Sequence, residues 1–436
     1  MESLFELIHE KNSLPQGNIY KKEIKNNFYF YHQYRENGKN ITKQITNLQE
    51  IAELTLKILR RKEIEKKIKD LLKNGNKEIE LSTYAREYTG YVMSGDAVVA
   101  EFLKGELVYK DEEHCPLVIK RTNSLLNFLK SRSIDSGRTN SRLLKKILNI
   151  NVKDDTLVSL CSYAASISDN YWFKPKHSKL KYKDIVFNND MFFDTALKGL
   201  ISIYPKKIIL SPELTTNGSY EKGWKNENGE WWLYKVGSKE EIYSEMFYSR
   251  LFEELKLPTA HYEIDDKYIK TADFSGDFNF EPMISIIGEN ENIDFVYREL
   301  NKIKHEIALD YLRLCVFDVV LNNVDRHSEN CGVMRDRISG EVICLAPNYD
   351  NNLSLISRNQ NLDFDLNEGF LQFFIKLIQT NKEVKDALKE ISFPVITQQL
   401  IEIVHSQINL DIIIDIEKLK KYILKRYEAI LDEVNK

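Results

Sequence analysis

The chain reads Asn323-Val324-Asp325-Arg326-His327-Ser328-Glu329-Asn330 and, further on, Pro347-Asn348-Tyr349-Asp350. These two stretches contain an Asp, an Asn five residues later, and a second Asp after another twenty residues. Transfer of a phosphoryl group from a nucleotide needs one carboxylate beside the attacking hydroxyl. It also needs an amide and a further carboxylate to hold magnesium against the phosphates. The order Asp325, Asn330, Asp350 therefore indicates a phosphoryl-transfer site.

The flanking sequence favours this interpretation over an ordinary Asn/Asp-rich surface loop, although both residues are common in turns. Residues 307–321 are mostly apolar and long enough for a buried helix, and the polar run begins where that helix should end. Residues 342–345 then predict a short strand that ends at Ala346-Pro347. Protein kinases arrange their catalytic loop and metal-binding Asp in the same way.

A loop upstream has the composition of a phosphate cradle. Residues 214–222 contain Gly218 and end in Lys222. Glycine lets the backbone approach a phosphate, while N–H groups and a lysine supply positive charge. The alternative is an Asn-Gly turn between strands. The candidate nucleotide contacts in this loop are Asn217, Gly218, Ser219, Tyr220, Glu221 and Lys222.

A strand and a helix follow the loop. Residues 230–236 are rich in aromatic and β-forming residues and carry Lys235. Residues 239–254 show a helical pattern with a broad apolar face. In protein kinases a helix carboxylate holds the strand lysine. Glu245, on this helix ten residues after Lys235, is one candidate for that carboxylate. Glu241, one turn earlier, is the competitor.

Taken in order, these segments resemble the HipA-like kinases, which are bacterial serine/threonine kinases often found as toxins of toxin–antitoxin pairs. The resemblance covers about the C-terminal half of the chain. It implies an α+β fold with a two-lobed, protein-kinase-like core. The small lobe would be rich in β-strands and the large lobe helical, and a small β-hairpin and helix module would precede the core.

The resemblance also implies a role for each matching residue. Asp325 would accept or orient the proton of the substrate hydroxyl, while Asn330 and Asp350 would bind Mg²⁺. Lys235, held by Glu245, would bind ATP phosphate. Residues 217–222 would close over the nucleotide, and His327 and Tyr349 would contact it.

The family further implies a cytosolic protein substrate, a translation factor among the candidates, and an antitoxin partner of the helix-turn-helix type. It also implies autophosphorylation on the nucleotide loop, where the hydroxyls are those of Thr215, Thr216 and Ser219. Three alternatives stay open. The chain could be a pseudokinase or nucleotide-binding regulator, a nucleic-acid-binding regulator, or a kinase of a small molecule or lipid. The complete set of Lys, Asp, Asn and Asp argues against the first.

Composition sets broad limits. With 42% hydrophobic and 29% charged residues the chain can form ordinary cores, and a net charge of −4 gives no general reason to expect nucleic-acid or membrane binding. No stretch reaches the roughly eighteen apolar residues of a membrane span. The start, Met1-Glu2-Ser3-Leu4-Phe5-Glu6, lacks the features of a signal peptide. The five cysteines form no Cys-x-x-Cys pair. We therefore expect a cytoplasmic protein.

The sequence predicts four segments. Residues 1–75 form a small β-hairpin and charged-helix module, residues 76–200 a mixed α/β region, residues 201–290 the small lobe, and residues 291–436 the helical large lobe. The first segment has 15 Lys/Arg and 10 Asp/Glu, a net charge of +5. Its tyrosines could form a basic, aromatic face for nucleic acid with nearby cations, although a solvated structural hairpin is favoured. The residues concerned are Tyr20, Tyr29, Tyr31, Tyr34, Lys21, Lys22, Lys25 and Arg35.

Overall fold

The computed structural model describes residues 10–11, 13–24, 27–36, 39–73, 89–103, 106–135, 137–138, 140–147, 155–200, 210–216, 218 and 220–436. The chain divides into two units. The first comprises Met1–Cys115 and Asn123–Trp224, and the second comprises Pro116–Thr122 and Lys225–Lys436. The fold is mixed α/β with several sheets, which agrees with the coarse fold class predicted from the sequence. The segment boundaries at 75, 200 and 290 stay predictions.

The first unit contains two antiparallel sheets, with strand orders β1-β2-β3 and β6-β5-β4-β7. Its strands are β1 (Asn18–Ile24), β2 (Asn27–Glu36), β3 (Lys39–Ile45), β4 (Gly90–Ser94), β5 (Ala97–Leu103), β6 (Glu106–Tyr109) and β7 (Tyr171–Pro175). Its helices are α1 (Leu48–Lys73), α3 (Leu125–Lys130), α4 (Ser141–Ile147), α5 (Asp155–Ser159), α6 (Tyr182–Ile185) and α7 (Phe193–Lys198). Two short 3₁₀ turns span Leu160–Ser162 and Pro212–Thr215.

The sheet and helix predicted for residues 1–75 are present, but the predicted aromatic face is divided. Tyr20 lies opposite Tyr31 and Lys22 opposite Tyr29, so these four side chains share one face of the sheet. Tyr34 is three residues after Tyr31 on β2, so its side chain lies on the other face of the sheet. Lys25 lies outside the described residues. The predicted face is therefore correct for Tyr20, Tyr29, Tyr31 and Lys22. It is wrong for Tyr34 and for Lys21, because Lys21 lies between Tyr20 and Lys22 on β1 and points to the other face.

The second unit contains two antiparallel sheets and most of the helices. One sheet has the strand order β10-β11-β9-β8, and residues 225–227 of β8 belong to this unit. The other sheet has the strand order β12-β13-β14. Its strands are β8 (Lys222–Glu227), β9 (Glu230–Lys235), β10 (Tyr262–Asp265), β11 (Tyr268–Ala272), β12 (Phe278–Pro282), β13 (Gly332–Asp336) and β14 (Val342–Leu345). Its helices are α2 (Leu117–Thr122), α8 (Lys239–Glu254), α9 (Ile284–Ile287), α10 (Ile293–Ile303), α11 (His305–Val320), α12 (Leu355–Arg358), α13 (Gly369–Thr380), α14 (Lys382–Glu390), α15 (Gln398–Ser406) and α16 (Ile416–Asn435).

Helix α8 begins at a capping box. The Ser238 hydroxyl accepts a hydrogen bond from the Glu241 backbone N–H, and the Glu241 carboxylate accepts one from the Ser238 N–H. Such reciprocal bonds satisfy two N–H groups that the first turn leaves unpaired. Glu241 is therefore a capping residue, while Glu245 lies one turn further and is buried.

Helix α11 is the centre of the core of this unit. Its side chains are buried on nearly every face, and it packs on α10, α13, α14, α16 and β14. The helix stops in a Schellman motif at Asn322, whose φ of 54° is left-handed. The Asn323 N–H bonds to the Asp318 carbonyl at 2.7 Å, and the Asn322 N–H bonds to the Val319 carbonyl at 3.2 Å. The polar run predicted to follow a buried helix therefore begins at a defined helix end.

In the described part of the chain, no helix combines the length and apolar character that crossing a membrane requires.

Candidate active site

The loop after α11 is closed by its own first and last polar residues. The Asn330 side-chain amide donates to the Asp325 carbonyl oxygen at 2.9 Å and to the Asp325 carboxylate at 3.3 Å. Inside the loop, the His327 N–H bonds to the Asp325 carbonyl and the Asn330 N–H to the His327 carbonyl. Because Asn330 Nδ2 is used inside the loop, its oxygen Oδ1 remains as an acceptor or metal ligand.

Arg326 connects this loop with the segment that carries Asp350. Its guanidinium donates to the Asn330 carbonyl at 2.6 Å and to the Tyr349 carbonyl at 2.7 Å. It also donates to the side-chain oxygens of Asn348 at 2.8 Å and Asn351 at 2.6 Å. One buried side chain therefore fixes both segments of the candidate site.

The charge of Arg326 is neutralised by Asp318, on the last turn of α11. The two form a bidentate pair at 2.9 and 3.0 Å, and their side chains are 6% and 2% exposed. Tyr248 and Asn323 also donate to Asp318, each at 2.9 Å. The nearby carboxylate raises the pKa of Arg326 against the opposing effect of burial, so the guanidinium stays charged.

Asp350 and Lys235 form the second ion pair of the site. Lys235 Nζ donates to Asp350 Oδ1 at 2.7 Å, and the side chains are 12% and 25% exposed. The backbone of Asp350 has a left-handed φ of 59°, and its N–H bonds to the Tyr262 hydroxyl at 3.1 Å. A non-glycine residue in this region is held there by its surroundings, as is common at functional sites.

The charge of Glu245 acts on the Lys235–Asp350 pair, and its carboxylate binds Asn351, the residue after Asp350. Its Oε1 accepts from the Asn351 backbone N–H at 2.8 Å and from the Asn351 side chain at 3.3 Å. The expected Glu245–Lys235 ion pair is therefore replaced by Lys235–Asp350. Glu245 Oε1 is taken up by Asn351, whereas Asp350 Oδ1 lies within hydrogen-bond reach of the lysine.

The pKa shifts follow from burial and from these charges. Burial lowers the pKa of Lys235, but Asp350 and Glu245 outweigh it and the net shift is upward. Burial raises the pKa of Glu245, opposed by Lys235. Burial also raises the pKa of Asp325, where the charge of Asp350 adds to the effect and those of His327 and Arg326 oppose it. Asp325 and Asp350 therefore face the same site closely enough to influence each other.

His327 lies within the loop of residues 325–330, and Tyr349 directly precedes Asp350. His327 Nδ1 accepts a hydrogen bond from the Glu329 N–H at 3.2 Å, so its other nitrogen, Nε2, carries the proton in the neutral ring. The Tyr349 hydroxyl donates to the Glu329 carbonyl at 2.8 Å, and its ring packs against Phe274 and Phe280. Both predicted nucleotide contacts are half-buried residues beside Asp325 or Asp350 in the sequence.

The predicted nucleotide loop belongs to the first unit, and Asn217 and Ser219 lie outside the described residues. Gly218 has a φ of 100°, and a Cβ there would overlap Lys222 Nζ, so only glycine allows the lysine to fold over this point. Buried Arg138 donates to the Thr216 and Gly218 carbonyls and braces the loop. Tyr220 is exposed and Glu221 half-buried.

The hydroxyls expected to be autophosphorylated differ in their surroundings. Thr215 is buried and donates to the Pro212 carbonyl at 3.2 Å. Thr216 is half-buried, donates to the same carbonyl at 2.7 Å and accepts from Trp224 Nε1 at 2.9 Å. Modification of either would require this turn to open.

Sequence reasoning missed the residues that hold the site together. Arg326 lies inside the quoted loop, and Asp318 is the one charged residue in an otherwise apolar final turn of α11. An Asp in an apolar helix, followed eight residues later by an Arg, is a signal that could have identified the pair. Arg138 had no comparable signal.

Comparison with known proteins finds similar solved structures, among them the following two. No family model matches the chain, and no curated protein matches it. A Helicobacter pylori structure, the proinflammatory kinase CtkA, is 20% identical with a TM-score of 0.41, over 49% of this chain and 92% of that one. A Shewanella oneidensis structure of the toxin–antitoxin system HipA and HipB with operator DNA is 14% identical with a TM-score of 0.45, over 80% and 97%.

Proposed function

We propose that this protein is an ATP- and Mg²⁺-dependent serine/threonine protein kinase of the HipA-like type, with a two-lobed, kinase-like core. One observation carries the proposal. Asp325, Asn330 and Asp350, which the sequence spaces like kinase residues, are brought to one site by the hydrogen bonds of Arg326, and Lys235 bonds to Asp350.

The chemistry of the oxygen donors fits magnesium. Asn330 Oδ1 and the Asp350 carboxylate are hard oxygen ligands, and Mg²⁺ is commonly bound by one or two protein groups together with water and substrate phosphates. Among the described residues no group of three or more His, Cys, Asp or Glu side chains forms a complete metal cage. A site that shares its metal with the nucleotide does not need one.

Lys235 would serve as the phosphate ligand. Its raised pKa keeps it charged at neutral pH. In the ion pair Lys235 occupies the Asp350 carboxylate that a metal would use. On nucleotide binding, Lys235 would therefore leave Asp350 and bind a nucleotide phosphate instead. The nearby charge of Glu245 would keep the lysine oriented during the exchange. Residues 217–222, with Lys222, would cover the nucleotide, and His327 and Tyr349 would contact it.

Asp325 would accept or orient the proton of the acceptor hydroxyl. Its carboxylate is half-buried and fixed by Asn330, while its raised pKa makes it a better base than an ordinary Asp. Magnesium would supply charge neutralisation on the phosphates. Positioning and charge then provide most of the rate enhancement, because the phosphoryl transition state requires little covalent assistance.

The biological setting that we propose is that of a cytoplasmic toxin which phosphorylates a cytosolic protein, a translation factor being one candidate, and is restrained by an antitoxin partner. The similar HipA structure contains HipB and operator DNA. Autophosphorylation of the loop hydroxyls belongs to the same proposal.

The test is incubation of the full chain with Mg²⁺ and γ-labelled ATP, with and without a cell lysate, beside Asp325→Ala. We expect label on the protein or on one lysate band, bound to Ser or Thr by phosphoamino-acid analysis and lost in the variant. An Asp325→Ala protein that labels as well as the parent would contradict the assignment.

A second candidate function has one observation in its favour. Tyr20 and Tyr31 stack at 5.4 Å, with Tyr20 exposed, and Lys22 lies opposite Tyr29 on the same face. Stacked aromatics beside lysines suit single-stranded nucleic acid. If the chain is instead a regulator acting through residues 1–75, Tyr20→Ala in the full chain should weaken a salt-sensitive nucleic-acid shift while label transfer is unchanged.

A further inference from the structure

Residues 288–292 connect α9 to α10 and contain none of the residues predicted for the site. Glu291 in this connection is exposed, yet its Oε1 accepts a hydrogen bond from the Ser328 backbone N–H at 2.7 Å. Ser328 belongs to the loop of residues 325–330 that carries Asp325 and Asn330. A bond between a carboxylate and a backbone N–H is charge-assisted and stronger than a bond between neutral groups. An exposed carboxylate from a neighbouring connection therefore binds the middle of this loop.

The Ser328 N–H belongs to a peptide group that also holds Asn330. Because a peptide group is planar, the N–H of Ser328 and the carbonyl of His327 turn together. The His327 carbonyl accepts a hydrogen bond from the Asn330 N–H at 2.9 Å. Glu291 therefore fixes the direction of the carbonyl that binds the backbone of Asn330.

Other contacts hold the neighbouring peptide groups of the loop. The Ser328 carbonyl accepts from the Ile284 N–H at 2.9 Å, at the start of α9. The Asn330 carbonyl accepts from the Arg326 guanidinium at 2.6 Å. Neither bond sets the direction of the peptide group between His327 and Ser328, to which Glu291 is bonded. Arg326 and Glu291 thus act on the two opposite sides of Asn330.

We propose that Glu291 is a positioning residue for phosphoryl transfer, which directs Asn330 towards the metal through the peptide group of His327 and Ser328. The inference rests on the proposed function, since it takes Asn330 as a ligand of Mg²⁺. Groups that support a metal ligand commonly contribute about 10–100-fold to metal affinity or activity. Because Glu291 is exposed, its removal creates neither a cavity nor an unpaired buried charge, so the fold should tolerate the change.

The first measurement needs neither nucleotide nor metal. Hydrogen exchange of the Ser328 amide is compared between the full chain and Glu291→Ala by mass spectrometry with residue-level fragmentation. We expect this amide to exchange at least about tenfold faster in Glu291→Ala, because the N–H has lost its acceptor. Glu291→Gln keeps an acceptor oxygen, so its exchange rate should stay within about threefold of the parent. Equal rates in the parent and Glu291→Ala would overturn the proposal.

A matched control separates the bond from the charge. Glu289 is exposed on the same connection, two residues before Glu291. Glu289→Ala removes the same charge, and we expect it to leave the exchange of the Ser328 amide unchanged. An acceleration equal to that of Glu291→Ala would show that any lost charge loosens the connection, and would contradict the assignment to Glu291.

The second measurement is the dependence of γ-phosphate transfer on the Mg²⁺ concentration. In Glu291→Ala we expect the Mg²⁺ concentration for half-maximal rate to rise at least about tenfold, with Glu291→Gln close to the parent. A variant that had only lost folded protein would show a lower maximal rate at an unchanged half-saturating concentration. That result would overturn the positioning role and leave the proposed function standing. No transfer by the parent would contradict the proposed function and this inference with it.

Discussion

Two ion pairs in the candidate site have nearly the same length and very different surroundings. Arg326 bonds to Asp318 at 2.9 Å and makes six hydrogen bonds in all, with both side chains almost fully buried. Among the described residues Lys235 makes one hydrogen bond, to Asp350 at 2.7 Å. A quarter of the Asp350 side chain is exposed. The first pair is therefore a fixed frame and the second an exchangeable contact. A site that must admit a charged substrate needs both.

The largest effect is expected from breaking the frame. Arg326→Met leaves Asp318 charged and buried without its partner, so we expect the free energy of unfolding to fall by about 3–5 kcal/mol. Urea denaturation measures it. The control is Arg298→Met, since Arg298 pairs with Asp294 on the surface of α10 and its loss should cost about 0.5 kcal/mol or less. A loss below about 1 kcal/mol for Arg326→Met would remove the distinction between the two pairs.

The exchangeable pair should matter more for binding than for stability. Asp350→Asn keeps a side chain that tolerates the left-handed backbone and removes the carboxylate. We expect Mg²⁺-dependent ATP affinity to drop at least about tenfold, since even groups that only support a metal ligand cost that much. The cost in unfolding free energy should be about 1–2 kcal/mol, because the pair is partly exposed. Calorimetric titration with Mg²⁺-ATP and with ATP plus EDTA measures the magnesium dependence of the affinity, and urea denaturation measures the unfolding free energy. An unchanged magnesium dependence would exclude Asp350 as a ligand.

The pH dependence of the reaction tests the state of Asp325. Burial and the charge of Asp350 raise its pKa, and the residue must be ionised to act as a base. Activity should therefore fall as the pH drops through this raised value. The acid limb of kcat/KM should lie above the ordinary value for aspartate of about 3.9. A limb at or below that value would contradict the role of Asp325.

The smallest effect is expected at Glu245. Because its pKa is raised in the folded protein, its contribution to stability is present below the ordinary value of 4.5 and is lost as the pH rises through the folded value. Glu245→Gln keeps the acceptor for Asn351 without the buried charge. At neutral pH we expect the unfolding free energy of the variant to equal that of the parent or to exceed it by up to about 1 kcal/mol. This difference should shrink as the pH falls. A variant destabilised at neutral pH would mean that the charge of Glu245 supports the fold.

Local patterns predicted the helix and strand elements that carry the candidate site. The apolar periodicity of residues 239–254 and the strand pattern of residues 342–345 match α8 and β14. The end of α11 was readable because a polar run follows the last apolar turn. The spacing of Asp325, Asn330 and Asp350 sufficed to propose the chemistry.

Long-range pairing was not readable in the same way. The sequence suggested Glu245 as the partner of Lys235, but the choice between Glu245 and Asp350 depends on Asn351, which engages the Glu245 carboxylate across the fold. The six bonds of Arg326 depend likewise on the left-handed backbone of Asp350 and on the helix end at Asn322. The backbone conformation at Asp350 is set by tertiary packing, for which no local pattern exists.

The most direct test of the central claim is single-turnover transfer of the γ-phosphate by the full chain and by Asp325→Asn, with ATP affinity measured in parallel. We predict that Asp325→Asn transfers phosphate about 10²–10⁴-fold more slowly, as expected for loss of a general base, while its ATP affinity stays within about threefold of the parent. Equal transfer rates in the two proteins, or no transfer by the parent to itself or to any lysate protein despite Mg²⁺-ATP binding, would contradict the claim.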